Sequence, residues 1–192
     1  DVEVWLRSSK KANKVNKQLV AINNGSLKGT LVLTTAKNSM HMYMPSFKKI
    51  RRIGSSDQSG SFLGTALTPG IMNLTRYSIY YTAAAPTVSG GNTTLQLTAR
   101  GADAPFPKIV LTVDKNHRPT TIKYFNAGGK HVITEERADY TACKGKYCTA
   151  KKMTVTDHSS KITSVMKLKK ASINGKLKRN GSAVKFSKRE LG

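Results

Sequence analysis

Acidic residues are what this chain has least of. Ten Asp plus Glu stand against 33 Lys plus Arg in 192 residues, a formal charge of +23. Such an imbalance points to an anionic partner: phospholipid head groups, lipopolysaccharide, nucleic acid or an acidic protein. Cysteine is nearly as scarce, with only Cys143 and Cys148. Two cysteines without a Cys/His cluster are too few for a zinc site. No apolar run reaches the ~18 residues that a membrane-spanning helix needs. No HExxH, Walker A or GxGxxG occurs, and the four histidines (His41, His117, His131 and His158) are not spaced as part of a catalytic triad or dyad. Glu135, Glu136 and Asp139 form the only local acidic group and read as solvated partners of nearby lysines. Neither a cofactor nor enzymatic chemistry is expected.

Long helical patterns are missing too. What the sequence has instead is alternation with period two, the mark of strands with one buried face. Val2, Val4 and Leu6 alternate with Glu3, Trp5 and Arg7. Gln18 to Asn23 and Gly29 to Thr35 follow, separated by the turn signal Asn24-Gly25. Further extended runs cover Arg76 to Thr82 (Tyr77, Ile79 and Tyr81 on one side), Thr94 to Ala99 (Leu95, Leu97) and Pro107 to Val113 (Ile109, Leu111). Thr120 to Phe125, His131 to Ala142, Cys148 to Thr156 and Ile162 to Ile173 complete the set. Pro69 and Gly70 limit residues 65–74 to a loop with one or two helical turns, and Phe186 to Leu191 suits a last short turn. About eleven strands with few helical turns predict a mainly antiparallel β domain spanning 1–192, built as a single strongly curved sheet.

The stretch Ser39 to Gly64 concentrates the informative features. Met40, Met42 and Met44 point one way from an extended strand, and His41 and Tyr43 the other. Pro45 ends the ladder. Lys48, Lys49, Arg51 and Arg52 then surround Ile50 and Ile53, and a Gly/Ser-rich loop over 54–61 leads to the apolar tip Phe62-Leu63-Gly64. The Met row is either an ordinary core stripe or the lining of a cavity. The cations either form a solvated loop or meet anionic lipid heads, and Phe62 and Leu63 are either a plug or a lid.

The two cysteines flank Lys144-Gly145-Lys146-Tyr147 between strand-like runs. In so short a hairpin loop the flanking residues face each other within bridging distance, so a Cys143–Cys148 disulfide is expected. It would place the chain in an oxidising compartment such as the periplasm. The sequence starts at Asp1 with no apolar leader, as expected of an exported chain whose signal peptide has been removed.

The motifs Tyr43-Met44-Pro45, Lys48-Lys49-Ile50-Arg51-Arg52-Ile53 and Ser61-Phe62-Leu63-Gly64 together resemble the LolA-like outer-membrane lipoprotein-sorting family. The order Lys151-Lys152-Met153-Thr154-Val155-Thr156-Asp157, Ile162-Thr163, Ile173-Asn174 and Phe186-Ser187…Leu191 is similar to the same family. The resemblance implies an incompletely closed antiparallel barrel with an apolar cavity, a periplasmic location, and transport of lipoproteins or lipids between membranes. Two departures stand out. Thr65-Ala66-Leu67-Thr68-Pro69 lacks the acids usual after the Phe-x-Gly element, and the family's N-terminal helix is not seen before the first strand.

One-sided strands without covering helices must hide their apolar face by closure, by the Phe62 loop, by another subunit or by an apolar ligand. The candidate lipid-contacting set is therefore Met40, Met42, Met44, Phe62, Leu63, Tyr77, Ile79, Tyr81, Leu95, Leu97, Ile109 and Leu111. Lys48, Lys49, Arg51 and Arg52 are the candidate head-group or membrane contacts. Expected partners are acyl chains of a lipid or lipoprotein, a donor or acceptor protein at the inner or outer membrane, and an anionic membrane surface. Nucleic acid is the rival partner. Against it, the cations are spread along the chain and the aromatics lack an RNP-like pattern.

Overall fold

A computed structural model describes residues 1–11, 14–37, 39–54, 57, 60–145 and 147–191. Parts of four expected connections, at Ala12 and Asn13, at Asn38, within the loop 54–61 and at Lys146, lie outside the described residues. The chain divides into two compact units, one of residues 1–58, 72–79 and 176–192, the other of 59–71 and 80–175.

In the first unit the alternating runs become β1 (Val2–Arg7), β2 (Lys17–Ile22), β3 (Leu31–Ala36), β4 (Ser39–Met44) and β5 (Lys49–Ile53). They pair in chain order as an antiparallel meander. Register sorts their side chains into two faces. Trp5, Leu19, Leu33 and His41 are successive cross-strand partners and share one face. Val4, Val20, Val32 and Met42 form the equivalent row on the other.

The Trp5 face is covered by the chain's own C-terminal segment, a cover that the sequence did not suggest. Val184, Phe186 and Leu191 join Trp5, Leu19, Ala21, Leu31 and Leu33 in one buried cluster, with Tyr43 and Leu177 packed against it. Each fully buried aliphatic or aromatic side chain there contributes about 1.5–3 kcal/mol. Polar contacts fix the segment in place. The Trp5 indole N–H donates to the Lys178 carbonyl at 2.8 Å, and Arg7 donates to that of Val184 at 3.2 Å. The Arg7 guanidinium also lies 4.9 Å from the centre of the Phe186 ring.

In the second unit β6 (Tyr81–Ala83), β7 (Thr87–Ser89), β8 (Asn92–Ala99), β9 (Lys108–Val113), β10 (Pro119–Phe125) and β11 (His131–Ala138) precede the ribbon of β12 (Ala142–Lys144) and β13 (Tyr147–Thr149). After it come β14 (Lys152–Asp157) and β15 (Ile162–Lys167). The eight-stranded sheet runs β15-β14-β11-β10-β9-β8-β6, with β7 also on β8. Every pairing is antiparallel. Leu97, Ile109, Tyr124 and Ile133 form one apolar row, and Leu95, Leu111, Ile122, Glu135 and Val155 the next. Lysines and threonines such as Lys108, Thr112, Lys123, Thr134 and Thr154 fill the alternate positions.

The antiparallel β class is as expected, but the single sheet of about eleven strands is not. Seventeen strands make a five-stranded sheet, an eight-stranded sheet and two two-stranded ribbons among the described residues, and neither large sheet closes on itself. Periodicity reports which way side chains point, and it does not say where one sheet ends and another begins. The helix α1 (Pro69–Asn73) fits the expected helical turn, with Pro69 as its first residue and the Thr68 hydroxyl accepting from the Ile71 N–H at 3.1 Å. Tyr77 and Ile79 lie in a 3-10 turn, Tyr77–Ile79, and not in a strand with Tyr81. Lys49 to Ile53 form a regular edge strand and not a loop.

Candidate functional site

The Met row stands where the sequence placed it, and the sheet shows what it stands beside. Met40, Met42 and Met44 share the face of β1 that carries Val2, Val4 and Leu6. Met40 is buried, at 1 % exposure, together with Val20, Val32, Thr34 and Ile53 on the same face. Met42 and Met44 are half-buried. At the β1 edge the row opens: Val2, Val4 and Leu6 are 57 %, 56 % and 42 % exposed. The exposed aliphatic edge of β1 and the two partly accessible thioethers of β4 thus lie on one face, with the buried Val20 and Val32 between them. Flexible, polarisable Met side chains suit a surface that must fit varied apolar shapes.

Positive charge borders that surface. Arg51 is the direct partner of Met42, and Lys49 of Met44. Arg52 pairs with His41 and belongs to the opposite face. Lys48 caps the preceding turn in a left-handed conformation (φ 48°), and all four cations are exposed. At the tip of this hairpin Phe47 is 64 % exposed and Ile50 43 %. Charges on an edge strand also discourage another chain from pairing there, so the arrangement has a structural use as well.

The remaining apolar candidates are mostly interior. Tyr81, Leu97, Ile109 and Leu111 are buried on the eight-stranded sheet, while Leu95 is partly exposed. Phe106 packs its ring 4.7 Å from that of Tyr124 on this same face. Phe62 is buried, and its loop is held closed. The Thr65 N–H bonds back to the Phe62 carbonyl, the Phe62 N–H to that of Leu67, and the Ala66 N–H to the Ser164 hydroxyl on β15 at 3.0 Å. Leu63 and Gly64 both have positive φ (53° and 77°), which makes the tip a tight turn with an uncommon conformation for leucine. Phe62 is thus interior in this structure, and Leu63 is partly exposed.

Glu135 is the polar residue that sequence reasoning misplaced. It is fully buried in an apolar row, where it accepts from the Tyr124 hydroxyl (2.6 Å) and the Arg137 Nε–H (2.6 Å). Its parity with Ile133 along β11 was the available signal. Reading Glu135, Glu136 and Asp139 as one solvated cluster overlooked that alternation. The Cys143–Cys148 disulfide is formed, closing the β12–β13 ribbon.

Two surface clefts are lined by cations, not by the apolar set. One, of about 590 Å³, is formed by Arg179, Asn180, Ser182, Ala183, Lys185, Ser187 and Arg189. The other, of about 470 Å³, includes Arg7, Lys14, Lys17 and Lys37. Among the described residues no cluster of three or more His, Cys, Asp or Glu could hold a metal ion. No described helix is long and apolar enough to cross a membrane.

Open antiparallel sheets make a LolA-like fold, as comparison with known structures shows. An outer membrane lipoprotein-sorting protein domain, so named provisionally, from Vibrio parahaemolyticus superposes with a TM-score of 0.78 at 20 % identity, over 99 % of this chain and 88 % of that one. A LolA superfamily protein from Nitrosomonas europaea gives 0.63 at 18 % identity, over 89 % and 85 %. A DUF1329 family protein from Desulfovibrio piger gives 0.68 at 16 %, over 88 % and 78 %. No curated protein sequence matches. A family model described as "Uncharacterized protein" matches residues 14–191, so the chain belongs to that family, and its fold is LolA-like.

Proposed function

We propose that the protein is a non-enzymatic carrier of the periplasm that takes acyl chains of a lipid or lipoprotein on the Met42–Met44 face and passes them to a membrane-bound acceptor. The observation that carries this is the accessible apolar groups of Val2, Val4, Leu6, Met42 and Met44 on one face of a sheet whose Trp5 face packs against the C-terminal segment. Monomers seldom leave such surface without a use. Each acyl methylene buried there contributes about 0.8 kcal/mol, so a chain of a dozen offers on the order of 10 kcal/mol before the losses of binding. Arg51 and Lys49 stand at the end of the apolar rows, where an anionic head group would sit. The hairpin tip of Phe47, Lys48 and Ile50 joins exposed apolar groups to positive charge, a combination suited to an anionic membrane surface. The lipoprotein-sorting name of the Vibrio parahaemolyticus neighbour and the disulfide support the same reading.

Native mass spectrometry of the purified protein, before and after lipid extraction and re-addition, tests it. Bound lipid that leaves on extraction and returns on addition is expected. Preparations that are consistently empty and refuse added lipid would count decisively against a carrier.

A second reading is a basic domain for nucleic acid or other anionic surfaces, without an apolar site. The cationic lining of both clefts favours it. Titration with DNA at two salt concentrations separates the two, because phosphate binding by many cations is steeply salt-dependent.

A further inference from the structure

The C-terminal segment does more than cover the five-stranded sheet. Along 183–187 its residues alternate: Val184 and Phe186 enter the core, while Ala183, Lys185 and Ser187 line the 590 Å³ cleft. One residue of this run departs from extended backbone. Phe186 has φ 54°, a conformation rarely adopted by a bulky residue, yet its ring is buried at 2 % exposure and covered by Arg7. The rest of the cleft comes from the hairpin of β16 (Lys178–Arg179) and β17 (Ser182–Ala183), turned at Asn180 and Gly181, both with positive φ. That two-residue turn places Arg179 opposite Ser182.

We propose that this cleft binds a phosphoryl-bearing anion. Arg179, Lys185 and Arg189 supply three positive charges, and Ser182, Ser187 and Asn180 supply hydroxyl and amide donors. No carboxylate is among the described residues that line it. Guanidinium and ammonium groups around a donor-rich cleft match phosphoryl oxygens, which accept several charge-assisted hydrogen bonds at once. The volume greatly exceeds the ~30 Å³ share of one water molecule, so a phosphorylated group fits with its hydration. A lipid head group and a free polyphosphate present the same chemistry. The site shares no residue with the Met42–Met44 face, so it stands or falls independently of the acyl-chain reading.

The molecule carries its own reporter. Trp5 is its one tryptophan, and its indole N–H is bonded to the carbonyl of Lys178, the residue before Arg179. Intrinsic fluorescence is titrated with inorganic pyrophosphate and, separately, with soluble dihexanoyl phosphatidic acid. Wild type is compared with the Arg179→Gln/Lys185→Gln/Arg189→Gln variant and with Lys28→Gln/Lys115→Gln/Lys144→Gln, which removes equal charge elsewhere. Single Lys185→Gln repeats the test with least perturbation, and a Met42→Glu variant reports on the other site. The expected result is saturable binding of at least one ligand, weakened about tenfold or more by the cleft triple and measurably by Lys185→Gln, but little by the control triple or Met42→Glu. Preference for the lipid marks a head-group site, and preference for pyrophosphate marks a free-anion site. Equal weakening by both triples would show only the general field of the +23 chain and overturn the proposal, as would no saturation below about 10 mM of either ligand.

Discussion

Met42 and Arg51 are direct cross-strand partners, side by side on one face of the five-stranded sheet. The pair joins the two demands of an amphiphilic ligand within one strand spacing, an apolar surface and a positive end. Replacing Met42 with Glu should abolish acyl-probe binding, while Arg51→Gln should weaken only anionic amphiphiles, by about 1 kcal/mol. Parallel titrations with an anionic and a neutral single-chain lipid check this. Equal losses for both lipids in Arg51→Gln would separate the cation from the site.

Met40 shares the row but is buried. Met40→Ala should therefore act on stability, lowering it by about 2–5 kcal/mol through lost burial and a cavity. Met44→Ala, half-exposed, should cost much less. Denaturant midpoints of the two variants give the comparison.

Breaking the buried Glu135 group should be expensive. Tyr124→Phe removes one donor to the carboxylate and should cost about 1.5–3 kcal/mol. Arg137→Leu leaves the buried charge without its ion-pair partner and should cost about 3–5 kcal/mol, even though the Arg137 side chain is 30 % exposed. Urea unfolding measures both, and a smaller loss for Arg137→Leu than for Tyr124→Phe would contradict this ranking.

Acid should weaken the fold beginning near neutrality. Burial, and then the charges of Lys188 and Arg52, hold the His41 pKa below its ordinary 6.5. Burial and the neighbouring His158 do the same to His131, against the opposite pull of the Ile133 carbonyl. With a lowered folded pKa the unfolded chain takes up the proton first, so stability is full above about 6.5 and declines as pH falls below it. A second decline follows below the ordinary carboxylate value of 3.8. Hydrogen bonds from Arg118 lower the Asp114 pKa; for Asp157 burial works upward, and bonds from Ser160 and Ser159 more than offset it. Melting temperatures from pH 7.5 to 5 should fall for wild type and fall less for His41→Gln.

Local periodicity made much of this legible. The alternation of Val2 to Arg7, of Met40 to Met44 and of Ile109 to Val113 is a property of neighbouring residues, and those strands formed as read. Asn180-Gly181 and the Cys143–Cys148 hairpin carried their own turn chemistry. The covering of the Trp5 face was not legible, because its key contact joins residues 173 positions apart and Val184, Phe186 and Leu191 show no helical pattern. Strand alternation likewise revealed the apolar sides of Leu97 and Ile109 but not that other side chains already fill them. The exposure of Phe47 was not legible either, since it is decided by what the rest of the chain leaves uncovered.

The six methionines offer the most direct test. With methyl-labelled Met, NMR titration of a single-chain phospholipid should shift the Met42 and Met44 signals in a saturable way and leave Met153 and Met166 in place. Unchanged Met42 and Met44 signals at lipid concentrations where binding is complete would contradict an acyl-chain site on this face.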